Sequence, residues 1–209
     1  MEDEDFERAV FINCPFDEDY EPILQAILFC VIYVGLTPLV ATERADSGES
    51  RLDKIRSLIE SAKYSIHDLS RCQSQRAGEH YRLNMPFELG LDHGCRRYYG
   101  NGREGKRTLV LEEQRYRYQA ALSDIAGWDI EEHRGDYQRA VRHVRNWLVQ
   151  AAGSKAPGAK KILDAYSDFQ GWNYERLLAD GWSDEDIQEC STHELLGAMR
   201  LWMEHGRPL

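Results

Sequence analysis

The chain has 209 residues and carries 26 Lys and Arg against 36 Asp and Glu, a formal charge of −10 at neutral pH. That acidic balance argues against a broad duplex-DNA footprint and against anionic membranes, while leaving room for a local basic patch. The length suits one α/β domain of about 150 residues plus an appendage, and the longest apolar run, Ile23 to Leu36, is broken by Gln25. It falls short of the ~20 residues of a membrane span. The opening MEDEDFER resembles no signal peptide. The five cysteines, Cys14, Cys30, Cys72, Cys95 and Cys190, lack C-x-x-C spacing, so no zinc site or disulfide framework is indicated. A cytoplasmic protein without membrane or metal is expected.

Taken in order, Ala9 to Asn13 (AVFIN) reads as a buried strand bounded by Pro15. Tyr20 to Val34 is a long apolar helix stopped by Gly35, and Thr37 to Ala41 a second strand. After the polar loop Thr42 to Ser50, a helix from Arg51 shows Leu52, Ile55, Leu58 and Ile59 on one face. Tyr64 to Leu69 (YSIHDL) is a third strand, and Ser70 to Leu83 a long polar loop. A helix beginning near Asn84 comes next, then strands at Thr108 to Leu111 and Trp128 to Ile130. A last helix of this pattern runs from Asp136 to Gln150, with Val141, Val144, Trp147 and Leu148 inward. Strands alternating with helices predict a flavodoxin-like three-layer sandwich with a parallel sheet of about five strands. Ligands in such folds bind beyond the carboxyl ends of the strands. The first domain is placed at residues 1–152, and the linker signal GSKAPG (Gly153 to Gly158) introduces a small helical segment, 159–209. Its anchors include Trp172, Trp182, Leu196, Met199 and Trp202, with helix starts at Ser183 and Thr192. About fifty residues is thin for a core of its own, so this segment is expected to dock on the main domain, in a homo-oligomer, or on an activating partner.

The stretch Asn84 to Arg97 (NMPFELGLDHGCRR) holds the clearest candidate for chemistry. With Pro86 at the first helical position, Glu88 falls at the third, among free N–H groups. There a carboxylate is either a reacting group or ordinary complementation of the helix dipole. Gly90 and Gly94 form a stripe expected to press against the sheet, beside Phe87, Leu91 and Cys95.

Three segments, VFINCPFD (Val10 to Asp17), IHDLSR (Ile66 to Arg71) and NMPFELG (Asn84 to Gly90), resemble in order and spacing the Toll/interleukin-1 receptor (TIR) and nucleoside 2-deoxyribosyltransferase superfamily. The resemblance covers residues 9 to 150. It implies that Glu88 is the catalytic glutamate, that Asp68 is the strand-end acid holding a ribose, and that Asn13, Cys14, Pro15 and Phe16 form the turn lining the sugar or nicotinamide pocket. Two departures stand out. The first-turn tyrosine of the deoxyribosyltransferases is absent, and the TIR-type Ser-x-x-x-Glu reads Asn84-x-x-x-Glu88 here. The function implied is an N-glycosidase acting on NAD+ or a related nucleotide, as substrate rather than cofactor, in bacterial antiviral defence. The alternative is a non-catalytic nucleotide-sensing or assembly module.

The residue types suit that chemistry. Cleaving a ribose–base bond passes through an oxocarbenium-like cation that a nearby carboxylate stabilises or captures. At a helix N-terminus Glu88 is expected to favour its ionised form. Asp68, Ser70, Asn84 and Met85 are the remaining candidates for substrate contact, although Asp68 and Ser70 read equally as caps of a turn. His67 is either a proton donor or a packed histidine. Arg44 and Arg51 bind a diphosphate or are solvated loop charges. Cys14 is a small buried hydrophobe or a pocket wall. Tyr118, Gln119 and Asp124 wall the pocket opposite Glu88 or belong to a surface turn, and His80 to Arg82 are placed to cover the site. No phosphate-binding G-x-x-x-x-G-K-[ST] loop is present, which disfavours phosphoryl transfer.

Overall fold

The computed structural model describes residues 3–43, 48–71 and 83–207. Five strands, β1 (Ala9–Asn13), β2 (Thr37–Leu39), β3 (Tyr64–Asp68), β4 (Arg107–Glu112) and β5 (Ile130–Glu132), form one sheet in the order β2-β1-β3-β4-β5. Every pair is parallel, and this is the flavodoxin-like arrangement. The chain leaves β1 toward β2 on one side and builds β3, β4 and β5 on the other. The topological switch therefore lies between β1 and β3, beyond whose carboxyl ends ligands bind in folds of this kind.

Alternation sorts the strand residues onto two faces. Val10, Ile12, Tyr64, Ile66, Leu109 and Leu111 pack against α2 (Glu21–Tyr33) and α5 (Tyr137–Ala152). Ala9 and Phe11 pack on the other face, against Ile55, Leu58 and Ile59 of α3 (Arg51–Ser61) and Cys95 of α4 (Asn84–Tyr98). A short helix, α1 (Asp3–Arg8), leads directly into β1. The last strand sits two residues later than the sequence suggested, at Ile130–Glu132, because Ile130 and not Trp128 registers with Val110. Trp128 packs instead with Leu69, Met85, Leu89, Val110 and Tyr118 in a satellite cluster.

The C-terminal helices α6 (Ala159–Ala179), α7 (Asp184–Gln188) and α8 (Thr192–Glu204) follow a glycine-capped end of α5, where Gly153 adopts φ 64. Gly153 marks the end of a helix, but the core runs across it. Ile162, Phe169, Leu196, Met199 and Trp202 belong to the same cluster as α2 and α5. Phe29 of α2 stands at the centre, with ring centroids 5.5 Å from Phe169 and 5.7 Å from Trp202. Of the docking alternatives the sequence left open, most of the apolar anchors take the main domain: Leu196, Met199 and Trp202 are spent on the chain's own core. Both predicted starts are capped, Ser183 by Asp186 and, one residue earlier than expected, Ser191 by Glu194. Among the described residues no helix is long and apolar enough to cross a membrane.

Trp202 is 1% exposed, so Trp202→Ala should cost about 3–5 kcal/mol of unfolding free energy, read as a lower urea midpoint. Deleting residues 154–209 should give aggregated protein, since it uncovers Phe29 and its neighbours. A soluble truncated chain with an unchanged urea midpoint would show that the helices are dispensable to the core.

Candidate functional site

The site is built at the switch between β1 and β3. The Asn13 amide, 2% exposed, donates from Nδ2 to His67 Nδ1 at 3.0 Å and to the Met85 carbonyl at 3.2 Å. It thereby ties the end of β1 to β3 and to the first turn of α4. With Nδ1 of His67 accepting, its proton sits on Nε2, which meets Asp92 Oδ2 at 3.2 Å. Asp92 also accepts from Ser65 Oγ at 2.5 Å and from Thr108 Oγ1 at 3.3 Å. Lys106, fully buried, places Nζ 3.0 Å from Asp92 Oδ1 and donates to the Ile59 carbonyl at 2.7 Å and to that of Ala62. Burial pushes the Asp92 carboxyl up. The hydrogen bond from His67, the charge of Lys106 and the Ser65 hydroxyl outweigh it and hold the group well below the usual carboxylate range.

A second network lies on the opposite face. Asp68 accepts from Tyr20 Oη at 2.7 Å and from the Ser70 amide at 2.8 Å, and its Oδ2 lies 3.0 Å from His133 Nε2. The Gly135 amide donates to His133 Nδ1 at 3.1 Å, which places the ring proton on Nε2. Burial raises Asp68, yet the bonds from His133, Ser70 and Tyr20 leave it below its ordinary value. Beside it Arg117 grips Glu112 at 2.5 Å and the Ser70 carbonyl at 2.6 Å. Burial outweighs that grip, and Glu112 is pushed up. Arg71 holds Asp17 through two bonds, at 3.0 and 2.8 Å, and so locks the turn after β1 to the end of β3.

Glu88 differs from these acids. It is 5% exposed, and its partner is Arg51 at the start of α3, with Nη2 3.7 Å from Oε1 and a guanidinium-bearing side chain that is 57% exposed. Desolvation raises Glu88, and the Arg51 charge only partly opposes this. The structure corrects the sequence reading here. Leu83 caps α4, and its carbonyl accepts from the Phe87 amide, so the helix begins at Asn84 and Glu88 enters the second turn. The free N–H groups that would have favoured its ionised form are left behind.

Cys14 is buried, and its thiol is pushed well up by burial and then by the charges of Asp68, Asp17 and Glu88. Those three carboxylates therefore surround the turn Asn13 to Phe16. Pro15 is buried, Phe16 half-buried and Asn84 exposed, while Met85 packs into the satellite cluster. Several expected contacts are committed elsewhere. Asp68 and Ser70, 0% and 3% exposed, spend their polar atoms inside the protein. Tyr118 is a core residue, its hydroxyl reaching the carbonyls of Ile125 and Trp128 at 3.4 and 3.5 Å. Gln119 bonds the Ala126 carbonyl at 2.9 Å. Asp124 lines a cavity of about 350 Å3 with Pro86, Leu89 and His93, on the flank of α4 turned away from Glu88 at 100° per residue. A larger cavity, about 580 Å3, opens at the β5 edge beside Tyr116, Trp128 and Trp147, again away from Glu88. Arg44 and His80 to Arg82 lie outside the described residues. Among the described residues no group of three or more His, Cys, Asp or Glu side chains is arranged to hold a metal ion.

Asp92, Lys106, Glu112, Arg117 and His133 were not singled out from the sequence. An acid on the inner stripe of a helix, and a lysine opening a buried strand, were the available signals. No family model, curated protein or solved structure matches the chain.

Removing one partner of a buried pair strands the other. Lys106→Met should therefore cost about 3–5 kcal/mol, and Lys106→Met combined with Asp92→Leu should cost less than the sum of the single changes. Because Asp92 and Asp68 are depressed, the stability they contribute is present above the unfolded carboxylate value of about 3.9 and is lost as pH falls below it. Urea midpoints from pH 7 to pH 2 should show that loss, with a shallower slope in Asp92→Asn.

Proposed function

We propose that the chain is an N-glycosidase that cleaves the ribose–base bond of NAD+ or a related nucleotide, with Glu88 facing the reacting sugar carbon. The observation that carries this reading is the electrostatic shortfall of Glu88. The other acids at this end of the sheet have close partners, Asp68 and Asp92 above all. Glu88 is buried with one half-exposed guanidinium at 3.7 Å, and its raised pKa says that its charge is under-compensated. A ribosyl cation forming beside it would supply the missing positive charge. Stabilisation would then be greater in the transition state than in the ground state, which is the condition for catalysis.

The same accounting bears on the leaving group. A purine or pyrimidine base needs a proton as it departs, whereas nicotinamide leaves NAD+ neutral. The protons of His67, His133 and Tyr20 are committed to Asp92 and Asp68. A site whose nearby protons are so engaged favours a pyridinium nucleotide. Arg51, whose side chain is more than half exposed, would be the cation to meet a diphosphate. The family resemblance adds the context of a cytoplasmic effector that depletes NAD+ in antiviral defence, and the four described cysteines are free thiols, as that compartment requires. The second reading, nucleotide sensing without turnover, is favoured by the near-complete burial of Glu88. It would use the same residues.

Glu88→Gln separates these readings. With the charge removed, nicotinamide release from NAD+ should fall by ~10²-fold or more. A raised carboxylate costs stability above its unfolded pKa and nothing below it. The variant should therefore melt higher than wild type at pH 7, with the two converging below about pH 4. Wild-type protein that binds NAD+ without releasing base would support sensing, and full activity in Glu88→Gln would remove Glu88 from the chemistry.

A further inference from the structure

The β5 edge of the sheet carries a feature that the proposed reaction does not use. β4 has six residues, but β5 pairs with its last three alone, beginning at Val110 opposite Ile130. The Arg107 amide donates to the Lys63 carbonyl and the Leu69 amide to the Leu111 carbonyl, so Arg107 and Leu111 turn toward β3. The His133 amide donates to the Glu112 carbonyl, so Glu112 turns toward β5. Backbone direction alternates along a strand. Thr108 therefore opens its N–H and C=O toward the β5 side, at a level that β5 does not reach. That slot, bounded by α5, is the cavity of about 580 Å3, a volume ordinary for a small-molecule site. Its two tryptophan walls are already fixed from behind, Trp128 by His93 at 5.2 Å and Trp147 by Tyr64 at 6.1 Å between ring centroids.

The cavity is polar in a directional way. The Arg115 amide and the His143 ring both bond Glu132, which sets these two residues at one end. Gln150, seven residues along α5 from His143, marks a length of about 10 Å at 1.5 Å per residue. Asp129, three residues before Glu132, stands toward the far end with Thr108. The lining pair His143 and Glu131 satisfy each other at 2.9 Å. Among the described residues the side chains of Arg115 and Asp129 have no ion pair or hydrogen bond, and both are exposed. Beside Arg115, Tyr116 is 68% exposed and holds φ 69, a left-handed backbone that a bulky residue adopts only at a cost. We infer that this cavity binds a purine nucleoside monophosphate, preferring guanine, with the base between the tryptophans and the phosphate on Arg115. A planar ring is what indole and phenol faces take by stacking. Guanine carries neighbouring N–H donors on N1 and N2, which the Asp129 carboxylate accepts together, and an O6 acceptor for the Thr108 N–H. Adenine sets an acceptor beside its donor and would turn a lone pair toward Asp129. The Arg115 guanidinium matches a phosphate through two nitrogens. The cavity lies away from Glu88, and the inference does not depend on turnover there.

Isothermal titration calorimetry of the full chain with GMP tests it. Wild type should bind one GMP with a dissociation constant of about 100 µM or tighter, and AMP about fivefold more weakly or worse. Arg115→Ala removes the phosphate partner alone. It should weaken GMP about tenfold or more and leave guanosine within about threefold. Asp129→Ala removes the base partner and should weaken GMP and guanosine alike. Both positions are exposed, so circular dichroism should show each variant folded as wild type. Glu88→Gln should bind GMP as wild type does. No binding at about 1 mM GMP, AMP bound as tightly as GMP, or an Asp129→Ala variant that binds as wild type would each overturn the proposal. So would an Arg115→Ala variant that loses guanosine as much as GMP, or a Glu88→Gln variant that no longer binds, since either would place the nucleotide elsewhere.

Discussion

The fold of the candidate site depends on the ion pair between Lys106 and Asp92. One ammonium, wholly out of water, meets the Asp92 carboxylate at 3.0 Å and the last carbonyls of α3. It joins the end of one helix, the middle of the next and the first residues of β4 in a single contact. Burying two charges costs several kcal/mol each unless their remaining bonding capacity is met. Here Ser65, Thr108 and His67 all reach Oδ2 of Asp92, while Oδ1 accepts no hydrogen bond and faces the Lys106 ammonium as a charge contact. Such a pair adds little to net stability against an apolar alternative. What it fixes is geometry, because only one rotation of α4 puts Asp92 over Ser65 and His67. Glu88 stands one turn earlier on the same stripe, so that rotation also sets where Glu88 points.

Acids crowd the carboxyl end of the sheet, and their surroundings divide them into two kinds. Asp68 and Asp92 are over-supplied with donors and sit below their ordinary pKa. They act as fixed negative anchors for Tyr20, His133, His67 and Lys106. Glu88 and Glu112 are raised by burial, but Glu112 is bound by Arg117 through two nitrogens, at 3.1 and 2.5 Å. Among the described acids, Glu88 alone combines burial with a loose, solvent-facing counterion. Carboxylates at one end of the sheet are thus divided by the number of donors that reach them.

The inner strands β1 and β3 were legible as short apolar runs between breakers, whereas the edge strand β5, IEE, was placed two residues early. AVFIN from Ala9 to Asn13 was located to the residue. The doubly wound order followed from strand–helix alternation. The start of α4 was misplaced because Pro86 is tolerated anywhere in the first turn, and nothing local distinguishes its first position from its third. The glycine stripe was assigned the wrong face for a related reason: Gly90 and Gly94 line an open groove between α3 and α4, where a Cβ on either would meet nothing within 4 Å. A helix with small residues on one side and mixed residues on another has two candidate inner faces, and the polar Asp92 marked the true one only once Lys106 was near it. His133 and Glu112 were illegible because their partners lie far off in sequence, His133 reaching Ser70 across 63 residues. No period or cap records a contact of that length. The C-terminal segment was recognised as too small to stand alone. That its aromatics meet Phe29 is decided by tertiary packing, which the local pattern of α6 and α8 does not encode.

Helix α4 serves two surfaces with one set of turns. Its inner stripe, Met85, Glu88, Leu89, Asp92 and Cys95, is buried, and its outer stripe forms the floor and rim of the groove. Because α3 carries Arg51 at its first position and Arg56 and Glu60 along its outer face, the two helices that frame the groove also hold the two members of the Arg51–Glu88 pair. The Lys106 clamp lies at the opposite end of α3, at Ile59 and Ala62. Over a separation of 3.7 Å Coulomb energy varies inversely with distance, so a small change in that distance alters how far Arg51 offsets the desolvation of Glu88. The compensation of Glu88 thus depends on the spacing of the two helices whose outer face is open.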